Sequence, residues 1–281
     1  MKQQLLLTSA GILLLISLLF FGSIESQKSS SHHTQLAPTS TFNITDSIQK
    51  AKQRLPASQL LYVANLENSI TRGDVKQQSH NNLIHLANFW KDSAKSFVPY
   101  AYYISEASKL DNSEKSLTFA ARLILDSMRR EENDQIKAWE SETAVVLFEK
   151  AIQLNPDNED LKVDLGSCYV YGKGMIGNAA ETMKGIQQLL SVVAKDSNNM
   201  KAQMILGIGG VISKQYDKAI TRLNKVVAAE PGNLEAVSWL ADTYAETGDK
   251  VSAIKWYEYS KKLVNNPEYS KEVNIRIKAL Q

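Results

Sequence analysis

Residues 206–231 read LGIGGVISKQYDKAITRLNKVVAAEP. Within them Ala219, Leu223, Val226 and Pro231 follow one another at intervals of four, three and five residues. On a helix of 3.6 residues per turn the first three share one face, and the proline ends the helix. The same intervals join Ala144, Phe148, Ala151 and Pro156, and again Gly185, Leu189, Val192 and Ser197, with serine in place of proline. Ser197 and Pro231 are 34 residues apart. A small residue, a large one, an apolar one and a turn that return at a fixed period predict stacked helical units.

A second motif runs in phase with the first. Leu165-Gly166 with Tyr169, Leu206-Gly207 with Gly210, and Leu240-Ala241 with Tyr244 each precede one copy of the small–large pattern, the last of which is Ala253, Tyr257 and Ser260. Together the two motifs resemble the tetratricopeptide repeat (TPR) over about 140–264. That resemblance implies an all-α chain of antiparallel helix pairs, A and B, stacked as a right-handed superhelix. Small residues would let paired backbones approach, and the large residue would fill the space between neighbouring pairs. Asn155-Pro156-Asp157, Glu230-Pro231-Gly232 and Asn265-Asn266-Pro267 punctuate the units as turns.

Two departures stand out. The unit from Pro156 to Ser197 spans 41 residues, and its excess falls in Tyr171–Asn178, between the two helices. Three glycines, Gly207, Gly209 and Gly210, lie inside one A helix, where each costs about 1 kcal/mol relative to alanine. They suggest a close backbone approach, to a neighbouring helix or to a ligand. Gly172-Lys173-Gly174-Met175-Ile176-Gly177 matches a dinucleotide fingerprint in letters only, because that motif needs a preceding strand and a βαβ unit. It reads as a loop between helices.

Outward from the repeats, Leu5 to Ile24 is an uncharged, largely apolar run of 20 residues, long enough to cross a bilayer core as a helix. No small-x-small site ends it, so 1–25 reads as an uncleaved transmembrane anchor, with a cleaved signal segment as the alternative. Lys2 and the amino terminus precede the run, while Glu25 and Lys28 cancel after it. The positive-inside rule then predicts a single-pass protein whose C-terminal domain lies outside the cytoplasm, in the periplasm on an inner-membrane stalk if the source is bacterial. Residues 26–45 are polar and read as a flexible linker. His32-His33 in that linker, and His80 and His85 five residues apart, lack the spacing of a metal site. Asn43-Ile44-Thr45 matches a glycosylation acceptor, which counts only in a secretory route.

Residues 46–135 show helical periodicity, including a pair opened by Pro99 and Ser113 in which Tyr100, Tyr103, Ala107, Ser116, Ala120 and Leu123 fall on TPR-like positions. Arg129–Asp134 reads as a solvated helix end. A long helix is expected from Gln135 to Leu154. The repeats then occupy 136–266, and 267–281 reads as a terminal helix covering the last face.

With 32 basic against 30 acidic residues there is no bias toward nucleic acid, and the lone Cys168, on an inward face, reads as an inert thiol. No metal, nucleotide or catalytic constellation is present, so no cofactor, small-molecule substrate or enzymatic activity is expected. The TPR resemblance implies binding of a polypeptide segment in a concave groove lined by the A helices. Its ligand-contacting positions fall on Asp160, Val163, Ser167, Val170 and Tyr171, then Lys201, Met204, Ile208, Val211 and Ile212, then Glu235, Ser238, Asp242, Ala245 and Glu246. Val163, Ser167, Val170, Tyr171, Lys201, Met204, Ile208, Val211, Ser238 and Asp242 are the candidate site. Only Lys201 is basic, so the carboxylate clamp of chaperone-binding members looks absent. The expected ligand is apolar or amphipathic, or basic toward the acidic end. The leading function is a membrane-anchored interaction scaffold. The alternatives are an assembly factor for an envelope enzyme complex, resembling those of cytochrome maturation, and an enzyme with a site in 47–135.

Overall fold

The computed structural model describes residues 42–72 and 75–281. The apolar run Leu5–Ile24 and His32-His33 lie outside the described residues. Among the described residues no helix is long and apolar enough to cross a membrane. Thirteen α-helices form the described chain, and among the described residues there is no strand.

Three helices lead in: α1 (Ile44–Lys52), α2 (Ala57–Arg72) and α3 (Lys76–Asn88). Helix α1 begins inside the segment read as linker, because the Asn43 side chain accepts hydrogen bonds from the amides of Thr45 and Asp46 (2.9 and 3.3 Å) and caps it. A π-turn, Phe89–Ser93, leads to α4 (Phe97–Asp111), then α5 (Glu114–Met128) and α6 (Asp134–Leu154). The repeat region follows: α7 (Glu159–Cys168), a second π-turn (Tyr169–Gly174), α8 (Ala179–Lys195), α9 (Met200–Ile212), α10 (Tyr216–Ala229), α11 (Leu234–Glu246), α12 (Lys250–Val264) and α13 (Pro267–Leu280). Asn158, Asn178, Asn199 and Asn233 start α7, α8, α9 and α11, each side chain accepting from an amide of the first turn.

The helices pair as hairpins: α3 with α4, α5 with α6, α7 with α8, α9 with α10, and α11 with α12, while α13 packs on α12. This corrects the expected pairing of the Pro99 helix with the Ser113 helix. Helix α5 shares its most extensive interface with α6 instead. Ala144, Phe148 and Ala151, all fully buried, therefore belong to a B helix whose A helix is α5, with Leu117, Ile124 and Met128 as its inner face. The missing Leu-Gly pair in α5 hides this unit from a motif search.

The glycines show why the pairs interlock. A Cβ on Gly166 would meet the Leu189 side chain at 2.5 Å, and one on Gly185 would meet Tyr169 Cβ at 2.5 Å and the Gly166 carbonyl oxygen at 3.0 Å. In the next pair a Cβ on Gly207 would meet Leu223 at 2.9 Å, and one on Gly210 would meet Ala219 Cβ at 3.1 Å. Where Tyr169 faces a glycine, Gly210 faces an alanine, so each contact keeps at least one glycine at the close approach. Gly209 lies against Ile186 of α8, where a Cβ would come within 2.6 Å of Cδ1. All three glycines of α9 thus serve packing between neighbouring helices.

The seven extra residues of the long unit are absorbed by the π-turn and a turn closed by the Asn178 amide donating to the Lys173 carbonyl oxygen (2.9 Å). Two glycines of the fingerprint-like stretch, Gly172 and Gly174, pack tightly here, while Gly177 adopts a positive φ in open space. A Cβ on Gly172 would strike Ser141 at 2.2 Å, Gly174 sits against Thr182, and Lys173 pairs with Glu142 at 2.6 Å. One buried cluster runs from Val63 of α2 to Ile208 of α9, with smaller clusters at α10–α11 and α11–α13. That is the layout of a stack in which each unit packs on its neighbours.

Candidate functional site

The A helices of the stack are α5, α7, α9 and α11, and the expected ligand-contacting residues divide between its interior and its surface. Val163, Val170 and Ile208 are fully buried, and Ser167 and Tyr171 nearly so. Ser167 Oγ donates to the Val163 carbonyl oxygen at 2.8 Å and so satisfies itself within α7. Lys201 is exposed, and Met204, Val211, Ser238 and Asp242 are half-buried. These five are the part of the set a ligand can reach without repacking.

Charge on the A helices is organised around buried Asp164, which is 1% exposed. Arg122 Nε of α5 donates to its Oδ2 at 2.6 Å, and Lys201 Nζ of α9 donates to its Oδ1. One carboxylate thus ties three consecutive A helices together, and both cations keep about half their side-chain surface exposed. A fully desolvated carboxylate needs such partners. Two cations on one anion leave a unit of positive charge on this cluster.

The acidic end is less available than its composition suggests. Asp242 accepts from Tyr257 Oη at 2.5 Å and from Arg276 at 2.9 Å. Burial, with the Asp242 carboxylate beside it, pushes the Tyr257 hydroxyl up to about 12. Glu235 accepts from Tyr171 Oη at 2.5 Å and pairs with Arg129, whose guanidinium lies 4.7 Å over the Tyr171 ring. Burial and the Glu235 carboxylate raise the Tyr171 hydroxyl, which stays a neutral donor.

Arg129 ends α5 and Glu235 begins α11, 106 residues later, so this bridge joins the first and last A helices of the stack. Arg129 is therefore not only part of a solvated helix end, as its charge run suggests. Glu235→Ala should cost about 1 kcal/mol, because the pair is partly exposed and one buried hydroxyl loses its acceptor. Hydrogen exchange should quicken at residues 233–238 while α3 and α4 stay unchanged. Unaltered protection at 233–238 would mean the bridge holds nothing.

Arg122, Asp164 and Arg129 escaped a reading of repeat positions, because no local signal shows which side chains meet across helices separated by a hairpin. Cys168 is fully buried, and burial raises its thiol well above the usual range, which keeps it unreactive.

Comparison with known proteins follows the same lines. Residues 211–271 match the tetratricopeptide repeat family model. No curated protein matches the chain. Among solved structures, TTC0263, a thermophilic TPR protein in Thermus thermophilus, is 15% identical with a TM-score of 0.52, over 72% of this chain and 98% of that one. MamA 41-end from Desulfovibrio magneticus RS-1 is 16% identical over 69% of this chain and 97% of that one, with a TM-score of 0.48. YrrB, a TPR protein with an unusual peptide-binding site, is 17% identical over 69% and 90%, with a TM-score of 0.44. Residues 211–271 are thus tetratricopeptide repeats, and the stack of helix pairs has the fold of a TPR protein.

Proposed function

We propose that this chain is a membrane-tethered scaffold that binds a polypeptide segment along its A helices, without catalysing a reaction. The observation that carries the reading is the junction of α5, α7 and α9. There Arg122 and Lys201 share one buried carboxylate, and half-buried Met204 follows Lys201 by one turn on α9. A surplus cation beside an adaptable apolar side chain suits an amphipathic segment that brings a carboxylate. This replaces the basic ligand expected from the acidic end, because Glu235 and Asp242 already have cationic partners. Val211, Ser238 and Asp242 extend the surface along α9 and α11. Leu5–Ile24 would hold the domain at the membrane and raise its effective concentration for membrane-bound partners.

A photo-crosslinking residue at Met204 of the full-length chain, irradiated in native membranes, should give one or a few discrete adducts. Lys201→Glu should reduce them several-fold, and the same probe at exposed Leu154 of α6 should give none. Equal adducts at both positions, or none at Met204, would rule out the A-helix site. Tethering is checked separately: protease added to spheroplasts should digest the repeat domain, and full protection would reverse the orientation.

A further inference from the structure

A second surface lies between α8, the C-terminal end of α9 and α10. A trough of about 470 Å³ runs there, within the size range of ligand sites. One wall is the apolar stripe Met183, Ile186 and Leu190 of α8, at helical spacing. The floor includes Gly209-Gly210 of α9, against which Ile186 and Ala219 pack. Met183 and Leu190 remain 50% and 42% exposed, so the trough is open to solvent along one side.

The opposite wall is cationic. Lys218, Arg222 and Lys225 lie on one face of α10, and Lys218 and Arg222 reach both this trough and the shallow hollow beside it. Among the described residues none of the three forms an ion pair with a carboxylate. Lys218 donates to Gln215 Oε1 at 2.8 Å, Arg222 to Gln203 Oε1 at 2.6 Å and Lys225 to the Ser197 carbonyl oxygen at 2.5 Å, all neutral acceptors. Asp217 borders the hollow without forming an ion pair. Elsewhere in the stack Lys52, Arg129, Lys173 and Arg276 each have a carboxylate partner. Half-buried Arg222 has none, and a guanidinium carries five donors in a fork suited to carboxylates.

We infer that this trough is a docking site for an acidic amphipathic helix of another polypeptide. Its apolar face would lie on Met183, Ile186 and Leu190, and its carboxylates would pair with Lys218 and Arg222. An apolar stripe about two turns long, faced by two basic residues one turn apart, suits a helix laid in a groove. Methionine at the open rim lets the wall adapt to the side chains it meets. The site is separate from Lys201 and Met204, so either can fail without the other.

The test is selection of a phage-displayed library of 16-residue peptides on the full-length chain in detergent. Enriched sequences should carry large apolar residues at helical spacing together with at least two Asp or Glu. A synthetic copy of the commonest one should lose at least tenfold in affinity on Met183→Glu and on Arg222→Gln, and less than twofold on Met204→Glu. Met183 is half exposed, so its variant retains the fold, which circular dichroism checks. No enrichment, enrichment of basic or neutral sequences, or binding indifferent to Met183→Glu would overturn the proposal. Sodium oleate binding that is lost on Met183→Glu, with no peptide enriched, would assign the trough to a lipid and overturn it equally.

Discussion

Gly185→Ala is expected to destabilise the protein by about 2 kcal/mol. The added Cβ would sit 2.5 Å from Tyr169 Cβ and 3.0 Å from the Gly166 carbonyl oxygen, and neither atom is the free end of a flexible side chain. Relief requires α7 and α8 to separate, and overpacking of this kind costs about 1–3 kcal/mol. Alanine recovers up to about 1 kcal/mol of helix propensity, so the clash wins by less than its full size. Thermal unfolding should fall by roughly 4–8 °C. Gly232→Ala is the control, since nothing lies within 4 Å of a Cβ there, and its effect should be neutral or slightly stabilising. Equal effects at the two positions would remove the account of repeat packing given for α7–α10.

Glu140→Gln is expected to stabilise the protein above neutral pH. Glu140, in the first half of α6, is fully buried. Its Oε1 accepts from Ser127 Oγ at 2.8 Å, and its Oε2 has no partner. Burial pushes its carboxyl from 4.5 up to about 7, with Ser127 and Lys137 opposing and Glu131 adding to the rise. The folded state therefore holds this proton more tightly than the unfolded state. The stability this supplies is fully present below about 4.5 and is lost as pH rises through about 7. At about 1.4 kcal/mol per pKa unit the loss is of order 3 kcal/mol. Denaturant unfolding at pH 5 and pH 8 should show the wild type losing stability relative to Glu140→Gln by about that amount. Parallel profiles would mean that Glu140 titrates normally.

The repeat region was legible because its determinants are local. Ala219, Leu223 and Val226 lie on one helix face whatever surrounds them, and Pro231 and Asn233 stop and restart the chain by their own backbone chemistry. The family match covers 211–271, beyond the long unit, where extra residues at the π-turn Tyr169–Gly174 break the 34-residue register without breaking the packing. The pairing of α5 with α6 was misread for the opposite reason. Its small–large pattern sits only in the B helix, so the A helix had no motif to announce it.

The candidate site was legible in position and not in exposure. Val163, Val170 and Ile208 occupy the expected register and yet are fully buried. Met204 and Lys201 occupy it and are accessible. Sequence by itself determined that the chain is helical, where most helices begin and end, and which residues interlock within a hairpin, since all of these depend on neighbours three or four positions away. Tertiary structure alone decided that Asp164 binds two cations, that Arg129 meets Glu235 and that one buried oxygen of Glu140 has no hydrogen-bond partner. Those contacts depend on how unit stacks on unit, which rests on packing summed over the whole array and leaves no periodic trace in any one repeat.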